Sequence, residues 1–193
     1  MLSLVLGSSS RYRKQLLDKL GIPFTQDSPD IDETPQADES AAALVERLAV
    51  DKAKALADKY PNSLIIGSDQ VATFSGRIIG KPHTKDNAKS QLMQFSGQSV
   101  TFLTGLCLYN SQTGEHQSLV EPFNVHFKAL TERQIERYIE LEQPLDCAGS
   151  FKSEGLGITM FSQLEGRDPN SLIGLPLIAL TEMLINEGMD PLA

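Results

Sequence analysis

Short apolar runs and amphipathic stretches alternate along this chain, with turn-forming residues between them. Leu2 to Leu6 is an apolar run of strand length. Arg11 to Leu20 places Leu16, Leu17 and Leu20 on one helical face, with Gly21 as its stop. Phe24 to Pro35 mixes polar and turn-forming residues and reads as a turn-rich segment. From Ser40 to Tyr60 the spacing predicts a long amphipathic helix, with Leu44, Leu48 and Ala55 along one side and Pro61 after its end. A second buried strand and a hairpin are expected over Leu64 to Ile79, then a capped helix over Thr84 to Phe95 that closes at Gly97. Ser99 to Asn110 and His116 to Ala129 are strand-like and joined by the turn Ser111-Gln112-Thr113-Gly114. Thr131 and Gln134 form a capping box at the head of a helix reaching Leu141, which Pro144 stops. The last helix is expected from Leu175 to Glu187, with Pro176 in its first turn and Gly188 at its end.

Strands and helices interleave, but a long hairpin interrupts the alternation. The expected fold is therefore α/β: a mixed central sheet flanked by helices, with two lobes and an active-site cleft, in a single domain of residues 1–193. The composition, 40% hydrophobic and 22% charged, is that of an ordinary soluble globule. No apolar run approaches the roughly 20 residues that span a bilayer, which argues against a membrane protein. Met-Leu-Ser-Leu-Val-Leu is too short for a signal peptide, and a cytosolic protein is expected. Cys107 and Cys147 have no metal or redox spacing and read as structural filler. A net charge of −8 argues against nucleic acid as a partner, yet leaves room for a small anionic substrate and a divalent metal.

The segment LIIGSDQVATFSGRIIGKP, residues 64–82, carries the first chemistry. Its apolar run delivers Asp69 at the expected end of a strand, where α/β enzymes present catalytic groups. Lys81, between Gly80 and Pro82, is placed to meet an anion. A carboxylate and a cation in this setting point to phosphate-ester or anhydride chemistry; the plainer alternative is a surface aspartate and a loop lysine. Gly7-Ser8-Ser9-Ser10-Arg11-Tyr12-Arg13-Lys14 lies between a strand and a helix, where amides, hydroxyls and the helix dipole form a phosphate cradle or simply a serine-rich cap. Asp30, Asp32, Glu33 and Asp69 are oxygen donors, two of which from different segments suffice for Mg²⁺ or Mn²⁺ shared with substrate phosphates. Lys52 falls near the apolar stripe of its helix, although a solvated lysine is the usual case. Gly149 to Gly157 is a polar, glycine-rich loop that projects Glu154 and enters a strand at Ile158-Thr159, and Glu165 to Asn170 is a further polar loop. None of His83, His116 and His126 has a partner at ligand spacing.

Together these segments resemble the Maf family of nucleoside triphosphate pyrophosphatases, in order along essentially the whole chain. The resemblance rests on Ser8-Ser9-Ser10-Arg11-Tyr12-Arg13, Asp32-Glu33-Thr34, Lys52-Ala53, Gly67-Ser68-Asp69-Gln70, Gly80-Lys81-Pro82, Ala148-Gly149-Ser150-Phe151 and Gly174-Leu175-Pro176. Phe151 to Gly155 and Glu165 to Asn170 are similar to the subgroup that acts on 7-methyl-GTP rather than the one preferring dTTP and UTP. The resemblance implies the fold of Maf and inosine-triphosphatase-like proteins and the reaction NTP + H₂O → NMP + pyrophosphate with a divalent metal. It implies Asp69 as the general base, and Ser8, Ser10, Arg13, Lys52 and Lys81 as phosphate ligands. Glu33 would complete the metal site with Asp69, although sequence does not separate it from Asp32. Tyr12, Gln70 and Glu154 fall on base-selecting positions. An aromatic face suits a cationic N7-methylated purine, while the alternative for Tyr12 is packing on the lobe surface. A homodimer is compatible with the family. The chain departs from the family pattern at Arg11, where proline is common, and at Lys14, where a second arginine is common. Rival expectations are the same hydrolysis on dTTP, UTP or another modified nucleotide, and a non-catalytic nucleotide-binding regulator of septum formation.

Overall fold

A computed structural model of the chain describes residues 2–193. In chain order the elements are β1 (Ser3–Gly7), α1 (Arg11–Asp18), β2 (Phe24–Asp27), α2 (Ala41–Lys54), β3 (Ser63–Phe74), β4 (Arg77–Ile79), α3 (Lys85–Phe95), β5 (Ser99–Asn110), β6 (His116–Phe127), α4 (Glu132–Glu142), β7 (Phe161–Gly166), α5 (Pro169–Ile173) and α6 (Leu177–Asn186). The strands form one seven-stranded sheet in the order β2-β1-β3-β5-β6-β7, with β4 paired to β3. The sheet is mixed: β1 runs parallel to β2 and β3, whereas β4 is antiparallel to β3 and β7 to β6. Among the described residues no helix is long and apolar enough to cross a membrane.

The chain divides into two compact units. The first holds the chain up to Gln70, Leu103–Glu121 and Asp168–Ala193; the second holds Val71–Phe102 and Pro122–Arg167. In the first unit β1 and the start of β3, which run parallel and are covered on both sides, are apolar on both faces. Leu4, Leu6, Leu64, Ile66, Leu106 and Leu108 pack with Leu16 and Leu17 of α1 and with Leu180 and Leu184 of α6. The intervening residues Val5, Ile65 and Cys107 point the other way, onto Ala49 and Ala53 of α2. Each fully buried leucine contributes about 1.5–3 kcal/mol relative to an exposed one. The second unit has an aromatic core instead. Phe151 packs edge-on against Phe102, Phe127 and Phe161 at centroid distances of 5.3, 5.6 and 4.9 Å, and Phe95 meets Phe74 and Phe127 at 5.2 and 5.6 Å.

Helix α2 lies unusually close to the sheet. A Cβ on Gly67 of β3 would stand 1.9 Å from the carbonyl oxygen of Ala49, and one on Gly105 of β5 would stand 2.1 Å from that of Val45. Glycine is required at both positions because helix backbone occupies the space a side chain would need.

Four expectations change. Phe24 to Asp27 is a strand, β2, rather than part of a turn-rich segment; as an edge strand it is held by backbone pairing to β1 and carries no buried alternation. The strand starting near Leu64 does not end at Asp69 but runs to Phe74, so Asp69 lies within β3 rather than at its terminus. Its parallel pairing with β1 stops at Ile66, which leaves Asp69 beyond the end of the neighbouring strand. The strand expected from Ile158 begins only at Phe161, after a short 3-10 turn over Leu156–Met160, and as the edge strand β7, exposed after Phe161, it takes in Glu165 and Gly166 of the expected loop. Helix α2 is also shorter than its pattern, ending at Lys54 with turns continuing to Tyr60.

Replacing Gly67 by alanine forces α2 off the sheet. Urea unfolding of Gly67→Ala is expected to show a stability loss of about 1–3 kcal/mol or more, the range for overpacking a close-packed core.

Candidate active site

The serine-rich junction between β1 and α1 forms the first part of the site. Ser10 caps α1, its hydroxyl accepting from the Arg13 amide at 3.3 Å, while the Ser8 hydroxyl accepts from the Ser10 amide at 3.2 Å. Arg13 turns back over this cap: Nη1 donates to Ser8 Oγ at 3.3 Å and Nε to the Gly174 carbonyl at 2.8 Å. Burial pushes the Arg13 guanidinium below its ordinary value, and the negative charges of Asp69 and Glu33 push it back up. The result is a fixed cation beside free hydroxyls and the positive end of a helix, a ready anion site.

Lys52 forms the second part. It is buried, with its side chain 11% exposed, and its ammonium donates to Asp69 Oδ1 at 2.7 Å and meets Glu33 Oε1 at 3.1 Å. The close approach of α2 at Gly67 makes this possible: Lys52 follows Ala49 by about one helical turn, and Asp69 follows Gly67 by two residues on the same face of β3. The plainer alternative of a solvated lysine gives way to a buried ion pair. Two carboxylates converging on one cation have the oxygen chemistry of a Mg²⁺ or Mn²⁺ site. Among the described residues no group of three or more acidic, histidine or cysteine side chains is gathered for a metal. A bound ion would therefore complete its shell with phosphate oxygens and water, as Mg²⁺ commonly does.

Asp168 is a supporting residue that the sequence did not single out. It is fully buried, yet Oδ1 accepts from the amide and side-chain nitrogen of Asn170, both at 2.8 Å, and Oδ2 accepts from the Ile178 amide at 2.8 Å. One carboxylate thereby serves the first turns of both α5 and α6. The elbow between them presents the Gly174 carbonyl, which receives Ser68 Oγ at 3.1 Å as well as Arg13 Nε. Gln70 fastens the same elbow, its Nε2 lying 3.0 Å from Thr104 Oγ1 and 2.8 and 3.2 Å from the carbonyls of Ser171 and Leu172. An aspartate preceding proline is a recognisable helix-start signal, but its second helix lies ten residues on and leaves no local trace.

The first unit therefore holds two contact groups, Ser8 with Ser10 and Arg13, and Lys52 with Glu33 and Asp69, the charges of Asp69 and Glu33 acting on Arg13, while Asp32 is folded onto its own loop through Thr34. Tyr12 accepts from Arg11 Nη2 at 3.0 Å, and the Arg11 guanidinium lies 4.9 Å from its ring centroid. Lys81 and Glu154 belong to the second unit, and both are exposed. The Lys81 loop is pinned where Pro82 accepts from Asn87 Nδ2 at 3.0 Å and the His83 amide reaches the Leu145 carbonyl at 3.1 Å. The Glu154 loop is tied to α4: the Lys152 amide donates to Tyr138 Oη at 2.8 Å and the Leu156 amide to Glu142 Oε1 at 2.9 Å. Burial pushes the Cys107 and Cys147 thiols up to about 12, in keeping with inert filler.

A mixed α/β sheet, a serine-rich strand-to-helix turn closed by an arginine, and a lysine–carboxylate pair define a phosphate-handling α/β protein. The chain belongs to the Maf family, whose profile, described as Maf-like protein, matches residues 3–187. It is similar to proteins named 7-methyl-GTP pyrophosphatase in several bacteria. That of Colwellia psychrerythraea is 58% identical over 193 residues, covering 100% of this chain and 96% of the relative. That of Pseudomonas savastanoi pv. phaseolicola is 60% identical over 190 residues, covering 98% and 99%. Among solved structures, the Staphylococcus aureus Ham1 protein matches with a TM-score of 0.55 at 14% identity, covering 96% of this chain and 99% of that one, a likeness of fold.

Two outcomes are expected from the supporting residues. Asp168→Ala loses two helix caps and leaves buried amides without an acceptor, so urea unfolding should show a loss of about 2–4 kcal/mol. The Glu39 carboxyl is held at about 2, below its ordinary 4.5, chiefly by the Arg47 side chain. A depressed carboxylate stabilises the fold fully above the unfolded value and loses that contribution as pH falls through the folded one. The stability difference between wild type and Glu39→Gln should therefore be complete near neutrality, shrink below pH 4.5, and vanish near pH 2.

Proposed function

We propose that this protein hydrolyses 7-methyl-GTP to 7-methyl-GMP and pyrophosphate, removing a modified nucleotide in the cytosol, with a homodimer as its working form. The observation that carries the reaction is the buried Lys52–Asp69 pair beside Arg13 and the serine-rich turn. That arrangement supplies a carboxylate for water and cations for a polyphosphate in one place. The names of relatives at about 60% identity over the full length support the substrate.

In this reading Asp69 is the general base that prepares water for attack at the α-phosphorus. An aspartate is ordinarily a weak base, so positioning and charge supply much of the effect. Ser8, Ser10, Arg13, Lys52 and Lys81 hold the triphosphate and spread the charge that develops in the transition state. Glu33 and Asp69 would hold a divalent ion, Mg²⁺ or Mn²⁺, which when bound offsets phosphate charge. Lys52, now between those carboxylates, then turns its ammonium to phosphate oxygen.

Tyr12, Gln70 and Glu154 select the base. N7 methylation leaves guanine cationic, and the Tyr12 ring already has a guanidinium against it, so a cation at that ring is chemically suited. Glu154 accepts from the Watson–Crick edge and complements the charge. Gln70 acts through the oxygen of an amide whose nitrogen is anchored to the α5 elbow.

The test is pyrophosphate release from a panel of nucleoside triphosphates with Mg²⁺ or Mn²⁺. Wild type is expected to favour 7-methyl-GTP, and Asp69→Asn to lose at least about two orders of magnitude in kcat, the lower range for a positioned base. Glu154→Gln should reduce the preference for the methylated base while keeping the reaction. Fast turnover of dTTP or UTP instead would overturn the substrate, and nucleotide binding without pyrophosphate release would overturn the reaction.

A further inference from the structure

Glu33 stands on a segment, residues 28–40, that contains no helix or strand and is exposed along nearly all its length. Such a segment loses much conformational freedom when fixed, and something must hold it if its carboxylate is to meet a buried lysine. Within the segment, Asp32 Oδ1 accepts from the Thr34 amide at 2.9 Å and Glu39 Oε2 from the Gln36 amide at 3.0 Å, contacts that shape it locally. Its tie to α2 is Arg47. Nε donates to Glu39 Oε1 at 2.6 Å and Nη2 to Glu39 Oε2 at 2.9 Å, a two-pronged grip. The same Nη2 reaches the carbonyl of Thr34, the residue after Glu33, at 3.2 Å, while Nη1 braces on Asp51 at 3.4 Å. The Glu39 side chain is only 8% exposed, in a stretch otherwise open to solvent.

We propose that Arg47 is a positioning residue: it clamps residues 28–40 to α2 so that Glu33 is delivered to Lys52 and Asp69, and it thereby sets how tightly the site holds a divalent cation. Arg47 and Lys52 stand on the same helix, so one rigid element holds both the segment and the group its carboxylate must reach. The inference rests on the reading of Glu33 as a cation ligand. It requires the planar fork: a lysine at position 47 keeps the charge but cannot grip both carboxylate oxygens and the Thr34 carbonyl together.

Two readouts test it on the full-length protein. The first is cleavage of the folded chain after Glu33 by a glutamate-specific protease; the second is the Mn²⁺ concentration giving half-maximal pyrophosphate release. Arg47→Ala is expected to speed cleavage and to raise the Mn²⁺ constant by about tenfold, the lower range for losing a residue that orients a ligand. At saturating Mn²⁺ its kcat should return to within about twofold of wild type, since the lost ordering is repaid by mass action. Arg47→Lys should fall between the two, and it serves if Arg47→Ala does not fold. A role confined to stability would lower the melting temperature and leave the Mn²⁺ constant alone, which would overturn the proposal. Glu33→Gln separates the two readings. If it leaves the Mn²⁺ constant unchanged, the assignment of Glu33 falls and this inference with it. If it raises the constant while neither Arg47 variant does, the assignment stands and the clamp falls.

Discussion

A lysine ammonium taken out of water must find negative charge, and this requirement organises the first unit of the protein. Lys52 has Asp69 at 2.7 Å and Glu33 at 3.1 Å, with its side chain and that of Asp69 both nearly buried. Removing one member of a buried pair leaves an uncompensated charge and costs about 3–5 kcal/mol, so each partner has to be delivered reliably. Three unrelated pieces of chain do so: a helix brings the lysine, a strand one carboxylate, and an irregular segment the other. Each is secured by its own device, namely close backbone contact at Gly67, the continuous ladder of β3, and the grip of Arg47.

Arg13 is secured on a different principle. Its guanidinium is aimed by a backbone carbonyl, that of Gly174, which is in turn fixed by the buried Asp168 and by Ser68. A carbonyl in a helix elbow is a stable aiming point because it moves only if α5 and α6 move. The two cations thus differ in freedom. Lys52 has a flexible stem and is met by side-chain carboxylates, whereas Arg13 is held by rigid main chain.

Much of this was legible in the chain. The apolar runs at Leu2 to Leu6 and Leu64 to Ile66 become the paired centre of the sheet, and the capping box at Thr131 and Gln134 forms as its residue types require. What escaped notice was of two physical kinds. The edge strand β2 owes its existence to backbone pairing, so its side chains carry no alternation, and the exposed residues of β7 gave no sign of where that strand begins. Asp168 and Arg47 act across ten and eight residues on partners that only the folded chain brings near. Burial of Lys52 was half visible, since its place beside the apolar stripe was clear while the glycines that draw its helix inward gave no periodic signal.

The contact of α2 with the sheet has a consequence for how this protein can change over evolutionary time. At Gly67 and Gly105 main chain rests against main chain, so the separation there is fixed by covalent geometry and not by the bulk of neighbouring side chains. Leucines and valines elsewhere in the core can exchange for one another and repack at modest cost. Such drift leaves the spacing between Lys52 and Asp69 untouched. The Lys52–Asp69 pair is insulated from the ordinary wandering of the interior, and what insulates it is two residues with no side chain at all.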